Sequence, residues 1–390
     1  MANSLLTPTA VTREALRILH QKLNFVGSIN RQYDDSFAKS GAKIGDTLKI
    51  RLPNQYTVRT GATLAAQDTN ETSVSLQVAT QKGVDLNFTS ADLTLSLDDF
   101  SKRILNPAMA VLAANIEADA FNMYRDVYNQ VNNQGAAATF AKALQARKIL
   151  VDNLAPPGDR AVCLATQDNV DLVDALKGLF QDSGEIARQY REGKIGRTAG
   201  FDWYENTLLP SHPRSAANGA YLVNVAGQTG ATLAVDTGAN APAAGDVFTI
   251  AGVFRVHPET KVSTGVLQQF VVGTGATTTA WPISPAVVTS GPMQNVNAAP
   301  ADNAAITVAG TASVNHGISL AFHQDAFAFA TADLVMPQGV DFSARQVMDG
   351  ISMRIVRQYD INNDKFPCRL DVLYGYRTIR PQIACRIANN

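Results

Sequence analysis

The chain has 390 residues, more than one compact hydrophobic core usually supports, so two or three structural units are expected. Its 33 lysines and arginines against 34 aspartates and glutamates leave a net charge of −1. That balance excludes a protein that works mainly by gripping nucleic acid through its phosphates. At 46% hydrophobic residues the chain is not expected to be disordered, and no apolar run is long enough for a membrane span. The start Met1-Ala2-Asn3-Ser4-Leu5-Leu6 lacks the basic lead-in of a secretory signal.

A helix is predicted first. Thr7 can cap it and Pro8 can open it, because a missing amide hydrogen costs nothing in the first turn. Val11, Ala15, Ile18, Leu19 and Leu23 then recur at helical spacing as one apolar stripe. A polar arm runs from Gly27 to Gly45, with Tyr33 and Phe37 as its anchors. From Thr47 to Ser90 the period changes to two: Leu48, Ile50 and Leu52, then Val74, Leu76 and Val78, then Val84, Leu86 and Phe88 alternate with polar residues. Between them lies a polar tip, Arg59 to Glu71. Such a ribbon buries little by itself and is expected to lie on a neighbouring surface.

The longest helix is predicted next, with Asp98 and Asp99 at its start and a kink at Asn106-Pro107. Leu112, Ile116, Ala120, Met123, Val127 and Val131 keep helical spacing over about 25 residues, roughly 37 Å, and Asn132-Asn133-Gln134-Gly135 stops it. Helices are expected over Phe140–Asp152 and Asn169–Phe180, with a buried strand at Arg160–Ala165 between them and a turn at Pro156–Asp159. Strands follow at Ser319–Ala330, Ile351–Tyr359 and Arg369–Tyr376.

Charge is unevenly spread. Between Ser211 and Leu320 stand only seven charged residues, together with seven of the 16 prolines and twelve of the 27 glycines. Threonine, valine, alanine, glycine and asparagine dominate this stretch. That composition suits short strands joined by tight turns, hence an inserted all-β module.

Catalytic patterns are absent: there is no G-x-S-x-G, no phosphate-binding G-x-x-x-x-G-K-[ST] and no H-E-x-x-H. Gly273-Thr274-Gly275 reads as a hairpin turn. The histidines His20, His212, His257, His316 and His323 form no ligand-like pair and are assigned to packing or solvent; on a regular strand His316 and His323 would face opposite ways. Asp360-Ile361-Asn362-Asn363-Asp364 with Asp371 imitates a calcium loop, but Lys365 stands where the bend needs glycine and Asp371 where a bidentate glutamate belongs. Cys163, Cys368 and Cys385 are too few and scattered for a disulfide framework or a zinc site and are read as small buried side chains. No enzyme, cofactor or metal is expected. Surplus pairing and packing surface is what a self-assembling shell subunit needs.

Four segments resemble one family. They are Ser4-Leu5-Leu6-Thr7 through Ala15-Leu16-Arg17-Ile18-Leu19; Thr47-Leu48-Lys49-Ile50-Arg51-Leu52-Pro53 with Thr57 to Gly61; Gly245 to Val253 with Thr260-Lys261 and Ser263 to Phe270; and His323 to Phe327 with Leu334 and Pro337, then Arg369 to Gly375. In order and over nearly the whole chain, they are similar to the tailed-phage major capsid proteins, specifically the coat protein of the short-tailed Salmonella phages. The resemblance implies an α+β, Hong Kong 97-type capsid fold with an inserted barrel-like domain. Its parts would be an N-terminal arm (1–46), an extended ribbon loop (47–90), a peripheral-domain spine helix (91–135), the first part of the axial domain (136–207), the inserted domain (208–317), and a C-terminal part shared by the axial and peripheral domains (318–390).

The implied function is self-assembly of hexamers and pentamers into an icosahedral head enclosing double-stranded DNA. Assembly would take place in the bacterial cytoplasm with a scaffolding protein and a portal. A decoration protein is a further candidate partner, packaged DNA would touch the inner face non-specifically, and no membrane is involved. Arg51, Tyr56, Arg59, Leu64, Phe25 and Tyr33 are the expected inter-subunit contacts. Some relatives of this fold crosslink a lysine to an asparagine; Lys49 and Lys82 lie away from the ribbon tip, and no crosslink is expected. The alternatives are an encapsulin-type shell and a β-rich adhesin.

Overall fold

The computed structural model describes residues 8–34, 47–64, 66–68, 71–88, 101–176, 197–217, 220–348, 350–361 and 365–389. The expectations for Thr7, Phe37, Asp98, Asp99 and the helix end at Phe180 lie outside these residues. The chain is a mixed α/β protein with many strands and few helices. It forms two compact units: Met1–Ile50 with Ser73–Phe121 and Phe327–Ile379, and Arg51–Thr72 with Asn122–Ala326 and Arg380–Asn390.

In the first unit the predicted N-terminal helix spans Pro8–Lys22. Val11, Ala15, Ile18 and Leu19 are buried, as is Leu23 beyond its end. The second helix, Asn106–Phe121, follows a π-helical turn at Ser101–Leu105. It is buried on every side except a stripe through Pro107, Val111, Asn115 and Ala118. At 16 residues it is about 24 Å long, not the expected 37 Å. Asn122–Asp126 tightens into a 3-10 turn, and Val131 lies in a strand, Gln130–Asn132. Val127 and Val131 are buried, so their spacing imitates a helix, but β-branched side chains are equally suited to extended backbone. The helix expected to run to 135 therefore ends at Phe121.

The sheet of this unit is built around the long strand Phe366–Thr378, which pairs with Phe327–Ala332, Ile351–Arg357 and Thr80–Phe88; Asn30–Asp34 and Phe342–Met348 form its edges. The ribbon is thereby shortened. Only Thr47–Arg51 and Ser73–Gln77 pair as a two-stranded ribbon, whereas Thr80–Phe88, expected as ribbon, is a full sheet member. Leu76 and Val78 pack with Ala328, Ala330 and Leu373, and Leu48 and Ile50 lean on the same cluster. Gly375 is required there, because a side chain would run into the Gln77 carbonyl. Asp371 is buried between Arg354 at 2.7 Å and Arg369 at 2.9 Å, an ion-pair anchor with its oxygens already engaged.

The second unit has a sheet in the order Gln130–Asn132, Ala384–Asn389, Asn315–His323, Arg160–Leu164, Phe201–Glu205, Arg197–Thr198, and Ser211–Pro213 pairs with the start of Asn315–His323. The predicted helix Phe140–Asp152 forms as expected, and the next spans Thr166–Leu176. The single strand expected at Ser319–Ala330 is two. Gln324–Ala326 breaks it, and Asn315–His323 and Phe327–Ala332 belong to different sheets. His316 and His323 are both buried, because this strand is covered on both faces.

The low-charge stretch folds as a barrel. Its strands run Leu222–Val223, Gly230–Asp236, Ala280–Val287, Ser263–Val272, Val247–Val256 and Ile306–Val308 in spatial order. The ring closes where the Val223 amide donates to the Ala304 carbonyl and the Ile306 amide to the Tyr221 carbonyl, each at 3.0 Å. Trp281, Tyr221, Phe248 and Phe270 fill a core of its own. Trp281 meets Phe248 at 5.1 Å and Tyr221 at 4.8 Å, both edge to face, the geometry that aromatic quadrupoles favour. Gly273-Thr274-Gly275 is the turn between two of its strands, with Gly275 at φ +84°.

Candidate assembly surfaces and the root of the barrel

The ribbon tip leaves its apolar side chains outside. Between Arg51 and Ser73 the described residues form neither helix nor strand, and Tyr56, Val58 and Leu64 are 56%, 95% and 83% exposed. Polar groups shape the tip instead. Gln67 accepts from the Thr57 amide at 2.8 Å and donates to the Thr57 carbonyl at 2.6 Å, tying its two sides together. Arg59 donates to the carbonyls of Gly61 and Thr63, and Arg51 pairs with Glu71 at 2.9 Å. Both arginines therefore have partners inside the tip.

Phe25 is a correction. It is completely buried within its own subunit, stacked on Phe121 at 4.4 Å and edge-on to Phe327 at 5.7 Å. Its amide donates to the buried Glu117 carboxylate at 2.7 Å. No ring surface remains for a neighbour, and sequence alone could not separate a buried anchor from an exposed one here. The Tyr33 backbone pairs in parallel with Thr331; its side chain lies outside the described residues. Lys82 pairs with Asp119 at 2.7 Å, and Lys49 is exposed on its ribbon strand.

A buried polar cluster joins the barrel to the sheet of the same unit. Tyr124 comes from the 3-10 turn, His212 from Ser211–Pro213, Asp246 from the loop between the barrel strands Gly230–Asp236 and Val247–Val256, and Arg386 from the C-terminal strand. His212 donates through Nε2 to Asp246 at 3.0 Å, and its Nδ1 accepts from the Tyr124 hydroxyl at 3.0 Å. Asp246 also accepts from the Ser215 hydroxyl and from the Ala243 amide at 3.0 Å, with Arg214 at 3.8 Å. Burial works against the Asp246 charge. The His212, Ser215 and Ala243 hydrogen bonds and the Arg214 charge outweigh it and hold the carboxyl below the usual carboxylate range. Burial likewise pushes His212 down, with Arg386 and Arg125 adding to the effect against its Asp246 hydrogen bond. Arg386, fully buried, donates to the Gly245 carbonyl at 2.8 Å, and burial lowers it to about 10. Gly245 sits at φ +98°, with His212 and Arg125 where its side chain would be.

Further ties fasten the barrel. Gln269 accepts from the Gln130 amide at 2.8 Å and donates to the Gln130 carbonyl at 2.9 Å, and Arg255 pairs with Asp152 at 3.0 Å. A cleft of 350 Å³ lies between these ties, lined on one side by Lys148, Ile149 and Asp152 and on the other by Val266, Leu267 and Gln268. Sequence reasoning missed Tyr124, Asp246 and Arg386. Only Asp246 carried a signal, charge where charge is scarce: it is one of seven charged residues in its stretch. Burial raises the thiols of Cys368 and Cys385 to about 12, which makes both poor nucleophiles. Among the described residues no cluster of histidine, cysteine and acidic side chains could hold a metal ion, and no helix is long and apolar enough to cross a membrane.

The family model described as P22 coat protein, gene protein 5, matches residues 29–386. The chain belongs to the P22 coat protein family. This coat protein is thus a major capsid protein, the subunit of a phage head, and its role is structural. The family membership also decides against the adhesin alternative.

Among solved structures the coat protein is similar to a chain described as Mycobacterium phage Che8, at 14% identity and TM-score 0.48, over 94% of this chain and 90% of that one. It is similar to the CUS-3 coat protein I-domain at 31% identity and TM-score 0.21, over 24% of this chain and 98% of that one. A holo-SrpI encapsulin complex from Synechococcus elongatus is similar at 9% identity and TM-score 0.41, over 92% of this chain and 84% of that one. None of these likenesses is close enough to weigh on the assignment, which rests on the family match. No curated protein matches the chain.

Proposed function

We propose that the coat protein has the Hong Kong 97-type arrangement and that its ribbon lies over an adjacent subunit within hexamers and pentamers. The observation that carries this reading is the exposure of Tyr56, Val58 and Leu64 on a tip that has spent its polar groups on itself. Burying a large apolar side chain stabilises by about 1.5–3 kcal/mol, so three give several kcal/mol per contact, repeated around every ring of a closed shell. Arg51 and Arg59, though partnered within the tip, bring charge to the rim of that contact and set its register rather than its strength, and Tyr33 is a further contact.

In the same reading 1–46 is the N-terminal arm, 47–77 the extended loop, 101–121 the peripheral helix and 208–317 the inserted domain. The shell assembles in the host cytoplasm on a scaffolding protein and a portal and encloses double-stranded DNA. Its net charge of −1 suits an inner wall that tolerates DNA without holding it tightly. A decoration protein would bind outside.

Deleting Thr57 to Thr72 tests the ribbon's role. The expected product is a soluble, folded subunit that forms no closed shells in electron micrographs. Particles like those of the intact protein would refute it.

A further inference from the structure

His212 and His316 stand directly opposite each other where the chain enters and leaves the barrel, as a registered pair on two antiparallel strands. Their rings meet edge to face at 5.3 Å, and the residues are 2% and 5% exposed. The two differ in bonding. His212 has Asp246 on one nitrogen and Tyr124 on the other, while neither nitrogen of His316 has a hydrogen-bond partner among the described residues. The charged groups facing the pair are Asp246 before the first long barrel strand, Arg214 after the incoming strand, Arg125 beside Tyr124 on the 3-10 turn, and Arg386 on the C-terminal strand. Three guanidiniums and one carboxylate thus enclose two imidazoles. Asp246 is already occupied by His212, Ser215, Ala243 and Arg214.

We propose that this imidazole pair is an acid-sensitive latch, and that a proton on His316 loosens the barrel from the sheet at its base while the barrel's own core stays folded. A protonated His316 would carry two N–H donors beside Arg386, in a place from which water is excluded, with only the Val314 backbone and the already engaged Asp246 to favour its charge. The relief is local, because His316 lies on the strand segment that forms the barrel's stalk. Opening that segment hydrates the ring and leaves Trp281, Phe248 and Phe270 in their separate core. Protonating His212 adds to the effect, since its Nδ1 could then no longer accept from Tyr124. Burial, helped by His212 and Arg386, holds His316 at about 4. The open stalk, with an ordinary histidine, binds protons more readily, so acidification below about 6.5 favours it. At neutral pH the latch is closed.

Hydrogen–deuterium exchange on the full-length, unassembled coat protein at about pH 7.5 and about pH 5 tests this, after correction for intrinsic exchange. Opening at peptides over 211–217 and 314–318 should rise about 30-fold on acidification, the ratio of proton binding by an ordinary histidine to one held near 4. Peptides around Phe248 and Phe270 should not change. His316→Gln, which cannot titrate, should remove most of the rise and leave only the smaller part that His212 contributes; His316→Phe serves if the glutamine variant misfolds. In a Trp203→Phe background, Trp281 emission should stay constant across the same range. An undiminished rise in these variants, or base and core losing protection together, would overturn the proposal.

Discussion

Asp246→Asn keeps the shape of the side chain at the barrel's root and removes its charge. In the native protein Asp246 is 1% exposed and faces donors on every side: His212 at 3.0 Å, the Ser215 hydroxyl, the Ala243 amide at 3.0 Å and the Arg214 guanidinium at 3.8 Å. An asparagine offers one oxygen, and its NH2 group then confronts another donor. Arg214, itself buried, loses its countercharge. Removing one partner of a buried pair costs about 3–5 kcal/mol. Arg214 still donates to the carbonyls of Ala309, Ser215 and Ala217, which places the expected loss near the lower end, about 3 kcal/mol. Against a total of roughly 5–15 kcal/mol that is a large fraction.

Urea unfolding of the unassembled subunit, followed through Trp281 in the Trp203→Phe background, measures the loss. Asp85→Asn is the control. Asp85 lies 3.8 Å from Arg369 with its side chain 79% exposed, and an exposed pair of that kind contributes almost nothing. A loss below about 1 kcal/mol for Asp246→Asn would refute the account of the root as a desolvated charge cluster.

Gly375→Ala should destabilise the first unit by up to about 3 kcal/mol, because the new carbon meets the Gln77 backbone, which has no rotamer with which to yield. Calorimetry should register a melting temperature about 5–10 °C lower, whereas Gly27→Ala, with nothing within 4 Å of the added carbon, should barely move it. The buried His316, held at about 4, makes the stability of the sheet beneath the barrel pH-dependent with a definite sign. Its contribution is full above the unfolded value of about 6.5 and is lost as pH falls toward 4, for a total of up to about 3 kcal/mol. Urea midpoints for the native protein should fall over that window, and those of His316→Gln should fall less.

Local periodicity made the N-terminal helix legible, because Val11, Ala15, Ile18 and Leu19 repeat a spacing that only a helix turns to one side. The near absence of charge from Ser211 to Leu320 made the barrel legible as a compositional block. Elsewhere the same signals misled. Met123, Val127 and Val131 keep helical spacing through a 3-10 turn and into a strand, since burial constrains which residues are apolar and not how the chain reaches the core. Thr80–Phe88 alternates as the ribbon does, and alternation says nothing about which sheet a strand joins. The strands Phe342–Met348 and Ala384–Asn389 escaped notice, the former with Arg345 at its centre, which pairs with Asp333 at 3.1 Å, and the latter with Arg386. The root cluster was invisible because its members come from positions 124, 212, 246, 316 and 386, which only tertiary folding brings together.

The side-by-side stalk at Ser211–Pro213 and Asn315–Gly317 has an evolutionary consequence. A module whose two ends leave adjacent rungs of one ladder can be cut out and replaced by a tight hairpin without altering the sheet that carries it. Lineages could therefore gain, lose or exchange this appendage while keeping the wall geometry of the particle. The same property makes it a natural place to graft a foreign domain for display.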